Sequence, residues 1–194
     1  MTTTGPAPRR PMRADARRNY ERLLAEAAAA FAEHGVEASL EDVARRAGVA
    51  NGTLYSHFPT RQALLEALMR DRMEALAGAA RDLLDQPDAR EALISWARAG
   101  IAHAAMYRGL ATSLMRSIED ETSELHAACQ AVLTAGERLL ERAQAAGAVR
   151  PDATASDFYT LINALAWAGE QTTPAQGERL LAFAIDGLRP SERS

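Results

Sequence analysis

Apolar residues recur along this chain at three- and four-residue spacings, the pattern of helices that bury one face. Tyr20, Leu23, Leu24, Ala27, Ala28 and Phe31 follow it up to Gly35, a residue suited to a left-handed C-terminal cap, and predict a first helix from about Asp15. Ser39-Leu40-Glu41-Asp42 has the form of a capping box and opens a short helix with Leu40, Val43, Ala44 and Ala47 inward, stopped by Gly48. A second short helix, Asn51 to His57, ends at Phe58-Pro59, because the residue before proline is driven out of helical conformation. Thr60 then caps a long helix carrying Leu64, Leu65, Leu68, Leu76 and Leu83, expected to run to Gln86-Pro87.

Further on, Asp88 with Glu91 opens a helix through Leu93, Trp96 and Ile101, which Gly109 is expected to interrupt before a shorter one with Leu110, Leu114 and Ile118. Residues 123–146 read as a helix ended by Gly147 and Pro151; Thr154 with Asp157, and Thr173-Pro174 with Gln176, cap two more. The prediction is an all-α chain of about nine helices. Composition agrees: 43 Ala and 22 Leu stand against 10 Val plus Ile, so good helix formers dominate and sheet formers are scarce.

Charge divides the chain. Residues 1–70 hold 10 Arg and 8 acids, the remainder 12 Arg and 18 acids, so a slightly basic N-terminal part precedes an acidic one and two jobs are implied. Residues 1–14, with Arg9-Arg10, read as a disordered basic arm, 15–65 as a first domain and 66–190 as a second, larger one. One cysteine, Cys129, excludes an internal disulfide, and no apolar run is long enough to span a bilayer, so a cytoplasmic protein without membrane contact is expected. The four histidines form no metal-ligand spacing, and phosphate-loop, dinucleotide and nucleophile-elbow motifs are absent. No catalytic residue, metal or cofactor is therefore expected.

Two short helices around a glycine turn can lay a reading helix into a DNA major groove. The second of them, within the motif at 39–58, anchors through Leu54 and Phe58 and offers Asn51, Gly52, Thr53, Tyr55 and His57 outward, too polar a set for a core helix. Residues 15–65 closely resemble the DNA-binding domain of the tetracycline-repressor (TetR) family, through Phe31-Ala32-Glu33-His34-Gly35, Ser39 to Ala44, Ala47-Gly48-Val49, Gly52-Thr53-Leu54-Tyr55 and His57-Phe58. The resemblance implies a three-helix helix-turn-helix domain followed by a helical effector-binding and dimerisation domain. It implies that Asn51, Gly52 and Thr53 approach base edges and that Ser39, Tyr55, His57 and Arg61 meet phosphates; by their charge alone, Arg17 and Arg18 are further phosphate candidates. Ala50, where the family often carries a capping Ser, is counted with these DNA-binding residues.

The resemblance also places Trp96, Met106, Tyr107, Met115, Phe158, Tyr159 and Trp167 on helices enclosing an effector pocket, with His103, Asn163 and Glu170 as candidate polar groups, so the expected small-molecule effector is largely apolar. Leu161, Leu165, Leu180, Leu181, Phe183 and Leu188 make the last two helices more apolar than one core-facing stripe requires, and a homodimer would bury the excess. The expected function is a ligand-responsive regulator, a repressor released from a palindromic double-stranded DNA operator. The alternative is a helical protein-interaction module with a vestigial DNA-binding fold.

Overall fold

A computed structural model of the chain describes residues 9–190, with side chains at all of these except 9–13, 36, 106–113 and 115. The described residues are helical throughout, with no strand, and divide into two compact units at Leu68/Met69, three residues beyond the sequence boundary.

The first unit holds α1 (Arg9–His34), a 3-10 turn (Gly35–Glu37), α2 (Leu40–Arg46), α3 (Asn51–His57) and the first turns of α4 (Arg61–Leu83). Helix α1 starts at Arg9, not near Asp15, so Arg9, Arg10 and Arg13 stand on a helix rather than an arm; residues 1–8 lie outside the described residues. Pro11 is tolerated there because the N–H it lacks belongs to the first turn, where no intrahelical acceptor exists. The stop and start signals between α1 and α3 act locally. Gly35 and Gly48 take φ of 63° and 65°, a region that other residues enter at a cost. The Ser39 hydroxyl caps α2 by accepting from Asp42 N at 3.3 Å, and the Val49 N–H closes the turn onto Ala44 O at 3.0 Å. Leu23, Ala27, Phe31, Leu40, Val43, Ala44, Leu54, Phe58 and Leu64 are buried, with the Tyr20 ring 5.1 Å from that of Phe58.

The second unit comprises the rest of α4, α5 (Ala89–Glu119), α6 (Glu124–Ala145), α7 (Ala155–Glu170) and α8 (Pro174–Gly187). Helix α4 stops at Leu83, short of the expected Gln86. Helix α5 is one 31-residue helix, so Gly109 does not interrupt it. A glycine costs a helix about 1 kcal/mol, less than α5 gains by lying along both α6 and α7. Asp88, Ser123, Thr154 and Thr173 cap α5 to α8 with their side chains, Thr154 and Asp157 reciprocally. Gly147, at φ 68°, ends α6, and Arg150 N donates to Leu188 O at 2.8 Å, tying the following turn to the end of α8. At the centre Trp96 donates its indole N–H to Leu76 O at 3.3 Å and stacks on Phe158, ring centroids 6.1 Å apart. Among the described residues no helix is long and apolar enough to cross a membrane, and no three His, Cys, Asp or Glu gather as a metal site would require.

Candidate nucleic-acid interface and effector cavity

In the first unit, α3 is pinned by buried Leu54 and, just past its end, Phe58, which turns Asn51, Gly52, Tyr55 and Ser56 outward and leaves Thr53 and His57 half-buried. Asn51 and Gly52 are exposed, Thr53 is partly so, and the Tyr55 ring is 42% exposed, large for an aromatic side chain. Ala50 precedes the helix without any side-chain cap. A Cβ on Gly52 would meet nothing within 4 Å, and its φ is ordinary, so nothing inside this unit requires a glycine there.

The side chains around α3 are held in a defined arrangement. His57 is half-buried, its ring 5.9 Å from Tyr20 and 6.1 Å from Phe58, which makes it a packing residue as well as an outward one. Arg61 donates through Nη1 to Ala38 O at 2.6 Å, joining the start of α4 to the segment before α2. Ser39 Oγ donates to Glu41 Oε2 at 3.0 Å and the Tyr55 hydroxyl to Glu41 Oε1 at 3.4 Å. The Glu41 carboxyl is held below its ordinary range first by its own backbone N–H, then by Ser39, with Tyr55 and the charge of Arg61 adding to the effect. Arg17 and Arg18 are exposed on α1 and paired with Glu21, at 2.8 Å, and with Asp15. By sequence alone Glu41 has no role beyond the opening of α2; its contact with Ser39 is local, whereas that with Tyr55 spans fourteen residues.

The second unit contains a cavity of about 180 Å³ walled by α4 to α7. Of the residues named from the sequence, Trp96, His103, Tyr159 and Asn163 line it. Met73 and Leu76 of α4, Gly100 and Ala104 of α5, and Cys129, Val132 and Leu133 of α6 complete most of the wall. The helical spacing Trp96, Gly100, His103, Ala104 was a usable signal for two of these.

Three expected pocket residues lie elsewhere. Phe158 is buried behind Trp96, in the core. Trp167 is 57% exposed, because the inward row of α7 is Phe158, Ile162 and Ala166, and the next residue is turned about 100° away from it. Glu170 is the exposed last residue of α7, about 10 Å along the axis from Asn163. Met106, Tyr107 and Met115 fall on side chains outside the described set.

Most polar atoms of the wall already have partners. The Tyr159 hydroxyl donates to the α6 backbone, with Leu133 O at 2.5 Å and Val132 O at 3.2 Å, and burial together with the charge of Glu137 drives its pKa upward. Asn163 Nδ2 donates to Tyr159 O at 3.0 Å. Burial, then the positive charge of Arg72, lowers the pKa of His103, so the wall presents a neutral imidazole. Burial raises that of Cys129, keeping it a thiol rather than a thiolate nucleophile. Gly136 makes the packing possible: a Cβ there would overlap the Trp96 ring and the Tyr159 hydroxyl.

Of the expected dimer residues, Leu181 belongs to the protomer's own core, since Leu181 and Ile185 form the inward row of α8. Leu161, Leu165, Leu180 and Leu188 are half-buried, with Leu165 and Leu188 packed against that core. Phe183, 68% exposed, projects on the opposite side of α8 from Leu181.

The family model for bacterial regulatory proteins of the tetR family matches residues 23–68, and that for the C-terminal domain of SbtR-like transcriptional regulators matches residues 88–190. The chain belongs to the TetR family. Among solved TetR-family structures, a transcriptional regulator from Streptomyces coelicolor is 36% identical with a TM-score of 0.73, over 89% of this chain and 99% of that one. A TetR transcription regulatory protein from Mycobacterium vanbaalenii is 37% identical with a TM-score of 0.69, over 92% and 99%. The transcriptional repressor KstR2 of Mycolicibacterium smegmatis is 36% identical over 80 residues, 41% of this chain, so the chain spans only 38% of the length of that curated relative.

Proposed function

We propose that this TetR-family protein is a ligand-responsive DNA-binding regulator: a homodimeric repressor that leaves a palindromic operator when a small, largely apolar molecule enters the cavity of the second unit. The single observation that carries the reading is α3, a seven-residue helix pinned by Leu54 and Phe58 with Asn51, Gly52 and Thr53 turned outward. Such a helix fits a major groove about 12 Å wide. In this reading Asn51 and Thr53 meet base edges, Gly52 lets the backbone approach, and Ser39, Tyr55, His57 and Arg61 meet phosphates, with Arg17 and Arg18 at the periphery. Repression, rather than activation, follows the function named for the M. smegmatis relative.

A single reading helix contacts too few bases for useful specificity, and two-fold pairing doubles the contacts. We assign that pairing to the outer faces of α7 and α8, through Leu161, Leu165, Leu180, Phe183 and Leu188, and add Trp167 in place of Leu181. The effector acts on α4, whose first turn carries Arg61 and whose later turns supply Met73 and Leu76 to the cavity wall. An effector that favours one arrangement of α4 shifts the separation of the two reading heads, provided it binds the two states with different affinity. A dry cavity of about 150 Å³ can hold benzene, so the 180 Å³ here fits a monocyclic apolar molecule. We assign no catalytic step to the protein.

A gel shift with DNA from upstream of the gene itself, at low salt, tests the reading. Tyr55→Phe and Arg61→Gln should weaken binding, Arg61→Gln reducing the salt slope by about one per half-site. Failure to bind any duplex from that locus would refute the assignment.

A further inference from the structure

Three groups assigned above to the sugar-phosphate backbone already have an anion among them. Both oxygens of Glu41 are engaged, Oε2 by the Ser39 hydroxyl at 3.0 Å and Oε1 by the Tyr55 hydroxyl at 3.4 Å, while Arg61 contributes its charge. A hydroxyl has one proton to donate, and a phosphodiester, like a carboxylate, only accepts. Neither hydroxyl can therefore donate to a DNA phosphate while it donates to Glu41. The carboxylate is also exposed, and the Tyr55 contact, at 3.4 Å, is longer than an ordinary O–H···O bond, so the arrangement can be opened at little cost.

From this we infer that Glu41 is an internal competitor for operator phosphate. It occupies the phosphate seat in the free protein, must turn away when DNA arrives, and thereby lowers the affinity of the reading head. The inference rests on the phosphate contacts proposed for Ser39, Tyr55 and Arg61. It makes Glu41 a residue that acts through those three rather than one that touches DNA. A carboxylate displaced from the seat stays beside the phosphate, so its charge opposes binding even after it has moved.

The full-length protein and its Glu41→Gln variant, titrated by fluorescence anisotropy against the upstream duplex, distinguish this role from simple positioning. A like charge about 5 Å from a phosphate in water weakens binding about fourfold. Glu41→Gln should therefore bind about fourfold tighter per half-site, or about fifteenfold for a symmetric dimer, and the gain should shrink between about 50 and 200 mM salt. Glu41→Asp, which keeps the charge, should bind no tighter than wild type. Tyr55→Phe should cost more in the Glu41→Gln background, where the hydroxyl faces a neutral amide instead of a carboxylate, than in wild type; a merely structural role, in which Glu41 orients Tyr55 for DNA, would give coupling of the opposite sign. Because the Glu41 carboxylate sits in the first turn of α2 and is held below its ordinary range, Glu41→Gln should melt slightly lower than wild type while binding the duplex tighter.

Equal or weaker operator binding by Glu41→Gln, or additive effects of the two substitutions, would overturn the inference while leaving DNA binding intact. Loss of all duplex binding by wild type and variant alike would overturn the DNA-binding reading and this inference together.

Discussion

Gly52→Ala separates the demands of folding from those of recognition at a single position. A methyl at residue 52 enters open space, and the backbone there is ordinary helix. Exchange of glycine for alanine in a helix interior gains about 1 kcal/mol, and about half of that at the second position of a short helix. For a unit of this size the gain raises Tm by about 2–4 °C. On DNA the sign reverses. If the α3 backbone lies against base edges, the same methyl overpacks a close contact, at about 1 kcal/mol or more for each reading head. That is about fivefold per half-site and about thirtyfold for a symmetric dimer. Thermal melting followed by circular dichroism, beside anisotropy titration of an operator duplex, measures both effects on one sample. A variant that melts higher and binds more weakly is the expected outcome. Unchanged binding would show that the backbone at Gly52 stays clear of the bases, and a lower melting temperature would show that α3 is not the simple exposed helix argued for here.

Gly136→Ala should have the opposite character, destabilising the second unit by about 1–2 kcal/mol, because overpacking against Trp96 and Tyr159 outweighs the gain in helix propensity; urea denaturation that shows greater stability would contradict the close packing of α5, α6 and α7. Phe183→Glu should give monomers in sedimentation velocity with the helical signal retained, and a persistent dimer would remove Phe183 from the interface. Leu181→Glu should instead unfold the second unit, since Leu181 lies in its core. His103, whose pKa burial and Arg72 lower, favours its neutral form in the folded protein, so the unfolded chain protonates first as pH falls. Stability should therefore decline from about pH 6.5 downward as the unfolded chain takes up the proton, and His103→Gln should flatten that decline. Equal slopes in denaturation midpoint between about pH 7.5 and pH 5.5 would refute the role of this group.

Local chemistry was legible and tertiary choice was not. Ser39, Asp88, Thr154 and Thr173 announce their helices because a cap needs only a side-chain oxygen and an amide three residues away, and Gly35, Gly48 and Gly147 end theirs for an equally local reason. Gly109 misled because its penalty is small and the packing that overrides it comes from α6 and α7, distant in sequence. Trp167 and Leu181 misled in opposite directions for one reason. Each sits on a helix with apolar residues on more than one side, and only the position of neighbouring helices decides which side is inward. In the first unit, one helix buries enough of its short face to leave no such choice, and Asn51, Gly52, Thr53 and Tyr55 could be placed outward from spacing alone. The cavity was legible in Trp96, His103, Tyr159 and Asn163, but its small residues, Gly100 and Ala104, carry no chemical signal of their own.

The two indoles of this chain stand in opposite surroundings, Trp96 with 1% of its surface exposed and its N–H committed to Leu76, Trp167 with 57% exposed on α7. Their emission should separate, the first short in wavelength and shielded from aqueous quenchers such as iodide, the second long and readily quenched. One molecule thus carries two native optical reporters, one beside the cavity and one on the face assigned to self-association. Replacing either tryptophan by phenylalanine would isolate each signal, so that ligand entry and subunit pairing could be followed as separate events without any added label.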